Sequence, residues 1–390
     1  MLSRNGASPT RLDVEKLAAA AFEATAHNRI GAEVEWLVFA ADDLERSIPA
    51  ARVAEVASGP LPARSSVTIE PGGQLELITR PFDDPLQLLD AITADAQVLR
   101  TRFAEQKLLL VALGLDPFRP PVRTLKQPRY EAMEQFFAAR SPTGLKMMNL
   151  TASLQLNIDL GPDPERSWRR AQVIAPVLSA AFANSPTIDG STFAAVSHRQ
   201  RVWAGTAPSR GLPVPPGTDA WSEYILDSQV MLRITADGVH PQLDDLSLRQ
   251  WQNSDSPPTS EELALHISTL FPPLRPRGYL EMRMIDALGP KGRSVAVGAS
   301  WVLLANDQAG AHAEAVCSKI SDRWKRATAA GLEDPEVADA AHSVLTIAAD
   351  ALRVRFPSLA KACVSWRDER LNDRDWPTDR ADLVRRSIEY

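Results

Sequence analysis

Met148-Asn149-Leu150-Thr151-Ala152-Ser153-Leu154-Gln155-Leu156-Asn157-Ile158-Asp159-Leu160 alternates apolar and polar residues without interruption. Successive side chains of an extended chain point to opposite faces, so this period of two predicts a strand. Its oily face carries Met148, Leu150, Ala152, Leu154, Leu156, Ile158 and Leu160; its polar face carries Asn149, Thr151, Ser153, Gln155, Asn157 and Asp159. A strand covered on one side only belongs in an antiparallel sheet, because parallel strands are buried on both faces and read as continuous hydrophobic runs.

Other segments extend that sheet. Ile30 to Phe39 reads as a strand behind a helix over residues 11–27, and Val67 to Glu70 with Gln74 to Ile78 reads as a hairpin around the Pro71-Gly72-Gly73 turn. Leu108 to Leu113 and Gly278 to Asp286 read as further strands. Helical spacing marks Pro85 to Lys107, a segment after Pro128, Glu165 to Phe182 and Glu261 to Leu270. Residues 205–218 form a Gly/Pro-rich loop, Ser294 to about Arg370 is Ala-rich and helical, and Arg374 to Tyr390 reads as a charged tail. The inferred class is α+β: a mainly antiparallel sheet with helices on its apolar face, the polar face open, and a helical C-terminal third. At 390 residues the chain has room for one elaborate domain or two fused lobes.

The polar face carries the chemistry. Glu33 and Glu35 sit two apart on one strand and so share a face; an isolated Glu-x-Glu is an ordinary solvated strand edge. Here Glu70, Glu76 with Gln74, and Glu281 with Arg283 recur on other strands. Together with Gln155 and Asn157 they make a bowl of hard oxygen donors, which suits Mg2+ or Mn2+ rather than zinc. Cationic groups in Ser197-His198-Arg199-Gln200-Arg201-Val202-Trp203, and Arg283 itself, have the planar fork that grips a carboxylate or offsets charge on a transferring phosphoryl group. No Walker loop, dinucleotide fingerprint or Gly-x-Ser-x-Gly elbow is present, and Pro71-Gly72-Gly73 reads as a plain hairpin turn. His198, His240 and His266 lack metal spacing and receive no role. Phosphoryl transfer is the chemistry these residues favour.

Composition narrows the partners. With 44% hydrophobic and 24% charged residues, the apolar runs are too short to cross a bilayer, and the N-terminus lacks the apolar core of a secretory signal. The cytoplasm is the expected location. A net charge of -6 without a basic run argues against nucleic acid or an anionic membrane as the partner. Cys317 and Cys363, far outside Cys-x-x-Cys spacing, are expected to be buried, reduced thiols.

Blocks of these residues resemble the glutamate-cysteine ligase superfamily, in the branch shared by plant enzymes and the actinobacterial ligase of ergothioneine biosynthesis. They are Gly-Ala-Glu-Val-Glu at 31–35, Glu-Pro-Gly-Gly-Gln-Leu-Glu-Leu at 70–77, Pro-Arg-Tyr-Glu-Ala-Met at 128–133 and Thr-Ala-Ser-Leu-Gln-Leu-Asn-Ile-Asp at 151–159. Ala-Asn-Ser-Pro at 183–186, Ser-His-Arg-Gln-Arg-Val-Trp at 197–203 and the stretch from Phe271 to Asp286 follow in the family's order. Positions 32, 34 and 36 depart from the branch's usual residues, and the C-terminal helical region matches loosely.

The resemblance implies a single catalytic domain over 1–390, with a core at 29–290 and a helical region at 294–372, whose twisted sheet forms an active-site funnel of the glutamine-synthetase-like kind. It implies ATP as co-substrate, L-glutamate and L-cysteine as substrates, and metal ligands Glu33, Glu35, Glu70, Glu76, Gln155 and Glu281. It implies that Arg283 and Glu281 act at the phosphoryl group and that Arg199 binds the glutamate carboxylate. Arg201, Trp203, Gln155, Asn157, Arg129 and Tyr130 are the remaining expected substrate contacts. The implied reaction makes γ-glutamylcysteine through an acyl phosphate. A carboxylate-amine ligase with another acceptor, and a non-catalytic glutamate- or metal-binding relative, are the alternatives.

Overall fold

The computed structural model describes residues 9–186, 196–206, 209–215, 217–370 and 379–389. Its strands, in chain order, are β1 (Ile30–Ala40), β2 (Ser66–Ile69), β3 (Leu75–Ile78), β4 (Leu108–Val111), β5 (Ser153–Ile158), β6 (Leu232–Thr235), β7 (Gly238–Pro241), β8 (Leu274–Pro276) and β9 (Leu280–Asp286). The main sheet runs β2-β3-β1-β5-β9-β8, with β4 pairing the far half of β1, and every described pair is antiparallel. The α+β class read from the sequence holds.

Register places the polar residues side by side. Thr68 faces Glu76, which faces Glu35 on β1; Glu33 faces Gln155; Asn157 faces Glu281, which faces Arg275 on β8. Directly opposed residues share a face, with Cβ atoms roughly 4.5–5.5 Å apart. The alternate residues, among them Ala32, Val34, Leu154, Leu156, Met282 and Met284, pack into the main core. Helices Pro85–Glu105, Pro164–Ala181 and Pro290–Ala305 cover that apolar face, with Asp307–Cys317, Pro335–Leu352 and Pro357–Arg370 packed among and behind them. Pro335–Leu352 forms for legible reasons: Asp334 caps it, Pro335 starts it, and Val337, Ala340, Ala341, Val344, Leu345, Ala348 and Leu352 recur at helical spacing on one buried stripe. Cys317 and Cys363 are buried free thiols in this layer, and burial pushes both up to about 12. Among the described residues no helix is long and apolar enough to cross a membrane.

Several elements differ from the sequence reading. The strand expected from Met148 to Leu160 is shortened to β5, because Ser141 caps and Pro142 opens a helix, Pro142–Leu150, that takes its first residues. The hairpin of β6 and β7 and the short strand β8 were not anticipated. The charged tail is not a free tail over its described part. Asp379 caps a helix, Arg380–Arg386, after which Ala112 donates to the Ser387 carbonyl and Glu389 N–H to the Leu110 carbonyl. The buried Glu389 carboxylate accepts from Arg293 and from the Trp36 indole (3.1 Å). The tail thus closes the free edge of β4.

Candidate active site

A cavity of about 260 Å3 opens where the polar face of the sheet meets the helices Pro128–Ala138, Pro142–Leu150 and His198–Ala204. Pockets for small molecules run from roughly 300 Å3 upward, so this is the scale of amino acids and phosphates, not of a macromolecular segment. Glu33, Glu35, Glu70, Glu76, Gln74, Ser153 and Gln155 line it from the sheet, Arg129, Arg199 and Arg283 supply positive charge, and Tyr130, Met133, Met147, Met148, Trp203 and Phe271 supply the rest of the wall.

The hairpin turn that brings in Glu70 is tight against its neighbour. A Cβ on Gly72 would lie 2.0 Å from the Asn149 carbonyl oxygen, and Gly73 has φ +93°, so both positions require glycine. Pro71-Gly72-Gly73 is therefore a structural turn, as read, and it presses the hairpin onto the end of helix Pro142–Leu150.

A β-bulge between β5 and β9 sets the cationic end. Glu281 and Arg283 are two apart and share the site face; strict alternation would send Asp286 to the other face. One extra residue in β9 returns Asp286 to the site side, opposite Ser153. There it is fully buried and accepts from Asn184 N–H, Ser185 Oγ and Ser197 Oγ, each at 2.7 Å, with Arg199 Nη1 3.9 Å away. Three sequence blocks, at 183–186, 197–203 and 271–286, converge on this carboxylate. Burial raises its pKa, and Arg199 and the donors oppose that. Arg199 in turn donates to the Arg283 carbonyl (2.9 Å).

Two electrostatic demands meet in the cavity. On the sheet side, burial and the neighbouring Glu35 push Glu70 up to about 7, and burial with Glu70, Glu35 and Glu33 pushes Glu76 up to about 9. Burial also raises Glu35, although Arg199, two bonds from Ser153 and the charge of Arg283 favour its ionised form. Such like-charge crowding is what a divalent cation relieves. Interleaved with these carboxylates, Arg129 Nε, Arg199 Nε and Nη1, Trp203 Nε1 and, on the sheet itself, Arg283 Nε are buried donors without an acceptor among the described residues. Those suit an anion. The residues therefore fit anionic substrates that arrive with cations. Among the described residues no three His, Cys, Asp or Glu side chains could hold a metal by themselves.

The expected site residues do not all meet here. Gln155 is central: it donates to Glu35 (3.0 Å) and accepts from Arg283 (2.5 Å). Asn157 stands just outside, donating to Glu33 (3.1 Å). Glu281 is buried with both oxygens bound by Arg275 (2.5 and 2.9 Å) and lies 3.3 Å from Arg283; burial would raise its pKa, but these arginines hold it at about 2. Arg201 is turned away, donating to the Thr328 and Ala329 carbonyls. The reason is helical geometry: Arg199 and Trp203 are four apart and share a face, while Arg201 is two from each and points elsewhere. The methionines, Phe271 and Asp286 were not singled out. For Asp286 the signal was available, since it ends the same strand as Glu281 and Arg283.

A pH dependence follows. Glu70 and Glu76 hold their protons more tightly in the folded chain than at the ordinary value of 4.5. Their contribution to stability is thus complete below about 4.5 and is lost as pH rises through 7 and then 9. In buffer free of divalent cations, the melting temperature should fall from pH 6 to pH 9, and Mg2+ should raise it most at the alkaline end. A melting temperature that rises over that range would contradict the crowding described above.

The sequence profile described as glutamate-cysteine ligase family 2 (GCS2) matches residues 29–366. The chain is 37% identical over 307 residues to the glutamate–cysteine ligase EgtA of Mycolicibacterium smegmatis, covering 75% of this chain and 72% of that protein. It is 35% identical over 342 residues to the glutamate–cysteine ligase EgtA of Mycobacterium tuberculosis, covering 82% and 78%. In fold it is similar to the crystal structure of glutamate–cysteine ligase from Francisella tularensis in complex with AMP, with a TM-score of 0.55, 14% identity, and coverage of 93% of this chain and 89% of that one. This chain belongs to glutamate-cysteine ligase family 2.

Proposed function

We propose that the protein joins the γ-carboxylate of L-glutamate to the amino group of L-cysteine, converting ATP to ADP and phosphate, and that this γ-glutamylcysteine serves ergothioneine biosynthesis. The observation that carries this reading is the presence of crowded carboxylates together with unpartnered arginine donors around one cavity. A simple carboxylate-binding protein needs only the arginines; a ligase handling triphosphate needs both. The chain 1–390 would act as one catalytic domain in the cytoplasm.

Glu33, Glu35, Glu70 and Glu76, with Gln155, would hold Mg2+ or Mn2+; Glu281 would join them only by giving up its bonds to Arg275. When bound, the cations would offset negative charge on the phosphate oxygens. Arg199 would hold the α-carboxylate of glutamate, leaving the γ-carboxylate toward Arg283. A γ-carboxylate oxygen attacks the terminal phosphorus, the bridging bond to ADP breaks, and Arg283 offsets charge on the transferring oxygens. The amine of cysteine then attacks the acyl carbon, the carbon–oxygen bond to phosphate breaks, and the amine's proton leaves with phosphate. Arg129 and Tyr130, on the wall next to Glu70, would flank the triphosphate, and Trp203 would offer its indole N–H to a substrate oxygen. No side-chain nucleophile is needed.

Incubating purified protein with glutamate, cysteine, ATP and Mg2+ should yield γ-glutamylcysteine and ADP in equal amounts, read by mass spectrometry and coupled ADP assay. A dominant adduct with another amine would replace the acceptor, and no ADP release would favour a binding protein. Arg199→Lys keeps the charge and loses the bidentate fork. KM for glutamate should rise about tenfold, equivalent to about 1.4 kcal/mol, with KM for ATP nearly unchanged. A shift in ATP saturation alone would move Arg199 to the nucleotide.

A further inference from the structure

Methionine is scarce in this chain, at seven residues, yet Met133, Met147 and Met148 all line the active-site cavity. They come from two helices, Pro128–Ala138 and Pro142–Leu150, and each is buried. Behind them lie Phe136 and Phe137, with Tyr130, Trp203 and Phe271 packed alongside. This apolar wall contrasts with the carboxylates and arginines that line the rest of the cavity.

We infer that Met133, Met147 and Met148 form the pocket for the acceptor's side chain and select a small, uncharged, soft group such as a thiol. The inference rests on the ligase reading above. The arginines offer partners for substrate carboxylates and phosphates, and the glutamates for cations, so the charged groups have places away from the methionines. The nucleoside has other room as well. A neighbouring cavity of about 470 Å3 shares Glu70, Glu76 and Tyr130 with the first, continues past Thr68, Ile69, Leu125 and Gln127, and is lined by no methionine. What remains for the methionine wall is the one substrate group that is neither charged nor large.

The wall's chemistry then sets a preference order. A thiol with an ordinary pKa of about 8.5 is neutral at pH 7 and is only a weak hydrogen-bond donor, so it loses little on leaving water for polarizable thioethers. A hydroxyl in the same place would exchange its water hydrogen bonds for thioethers, which are only weak acceptors. Cysteine and 2-aminobutyrate, whose side chains are close in shape, should therefore both be used. Alanine should be poorer for want of contact, and serine poorer for want of a hydrogen bond. Methionine also fills irregular gaps in cores with no functional role; on that account acceptor choice would not respond to its replacement.

The test enlarges the pocket. Met133→Ala, Met147→Ala and Met148→Ala, each paired with its Leu counterpart, are assayed with cysteine, 2-aminobutyrate, serine and S-methylcysteine. At least one Ala variant should raise the kcat/KM ratio of S-methylcysteine to cysteine by about tenfold or more, with KM for glutamate and ATP within about twofold of wild type. The Leu variants, which keep the volume, should retain the wild-type order of acceptors. An unmoved ratio in all variants, or a change confined to glutamate or ATP, overturns the inference. Should the Ala variants fail to fold, methyl-13C-methionine spectra of wild-type enzyme with glutamate and a non-hydrolysable ATP analogue decide. Added 2-aminobutyrate should perturb Met133, Met147 and Met148 above Met231 and Met282, and the reverse pattern overturns the inference. Failure of the wild-type enzyme to release ADP with any amine would instead remove the ligase reading itself.

Discussion

Arg283→Ala is expected to reduce kcat by about a thousandfold, or about 4 kcal/mol, with a smaller change in KM for either amino acid. Arg283 stands where β9 enters the cavity, bound to Gln155 and close to Glu281, with one buried Nε donor lacking an acceptor among the described residues. Burial works against its charge, but Glu281, Glu33 and Glu35 outweigh that and hold the guanidinium firmly cationic. A fixed charge in a water-poor cavity needs no reorganisation when negative charge moves from the γ-carboxylate to the phosphoryl oxygens, so its loss falls on turnover. Folding should survive, because Arg275 still neutralises Glu281 through two bonds. Arg283→Lys should recover part of the rate. Single-turnover formation of ADP is the measurement, and a kcat within about tenfold of wild type would remove Arg283 from the phosphoryl site.

Glu76→Gln should show two opposite effects. Apparent Mg2+ affinity should weaken by more than the roughly 10- to 100-fold typical of residues that only support a metal ligand, with activity partly restored by excess Mg2+. Without divalent cations, the variant should melt higher than wild type at pH 8. Burial, Glu70, Glu35 and Glu33 hold Glu76 up at about 9, so ionising it in the folded chain is unfavourable, and Gln removes that burden while still accepting from Thr68. A carboxylate whose removal stabilises the protein and disables it is kept for function. Glu45, exposed in a loop, is the control and should change neither property. Lower stability together with unchanged metal dependence would make Glu76 a structural residue.

The sheet was legible because its chemistry repeats with a period of two. Glu33, Glu35, Gln155 and Asn157 could be placed on one face from spacing alone, and the register bears this out. What escaped were features that break a period or depend on distant chain. Met148, Asn149 and Leu150 alternate as a strand would, yet Ser141 and Pro142 start a helix that overrides the pattern, and the methionine wall was hidden in that misreading. The bulge that turns Asp286 inward cannot be seen in an apolar run such as Met284-Ile285. Arg199 and Arg201 both read as substrate contacts, and a short helix separates them by face. The docked tail depends on Arg293 and Trp36, which no local pattern links to Glu389.

That tail also bears on when the enzyme can form during synthesis. Trp36 and Glu389 are 353 positions apart, an interval of roughly 20–70 s at ordinary rates of translation. Once made, the edge of β4 lacks its cover until the tail follows. Arg293, buried on the helix that seals the sheet's apolar face, waits a further 96 positions for its counter-charge. A buried cation without its partner opposes closure of the layer around it. The sheet that carries Glu33 and Glu35 therefore gains the contacts of this seam only once residues 379–389 have been made.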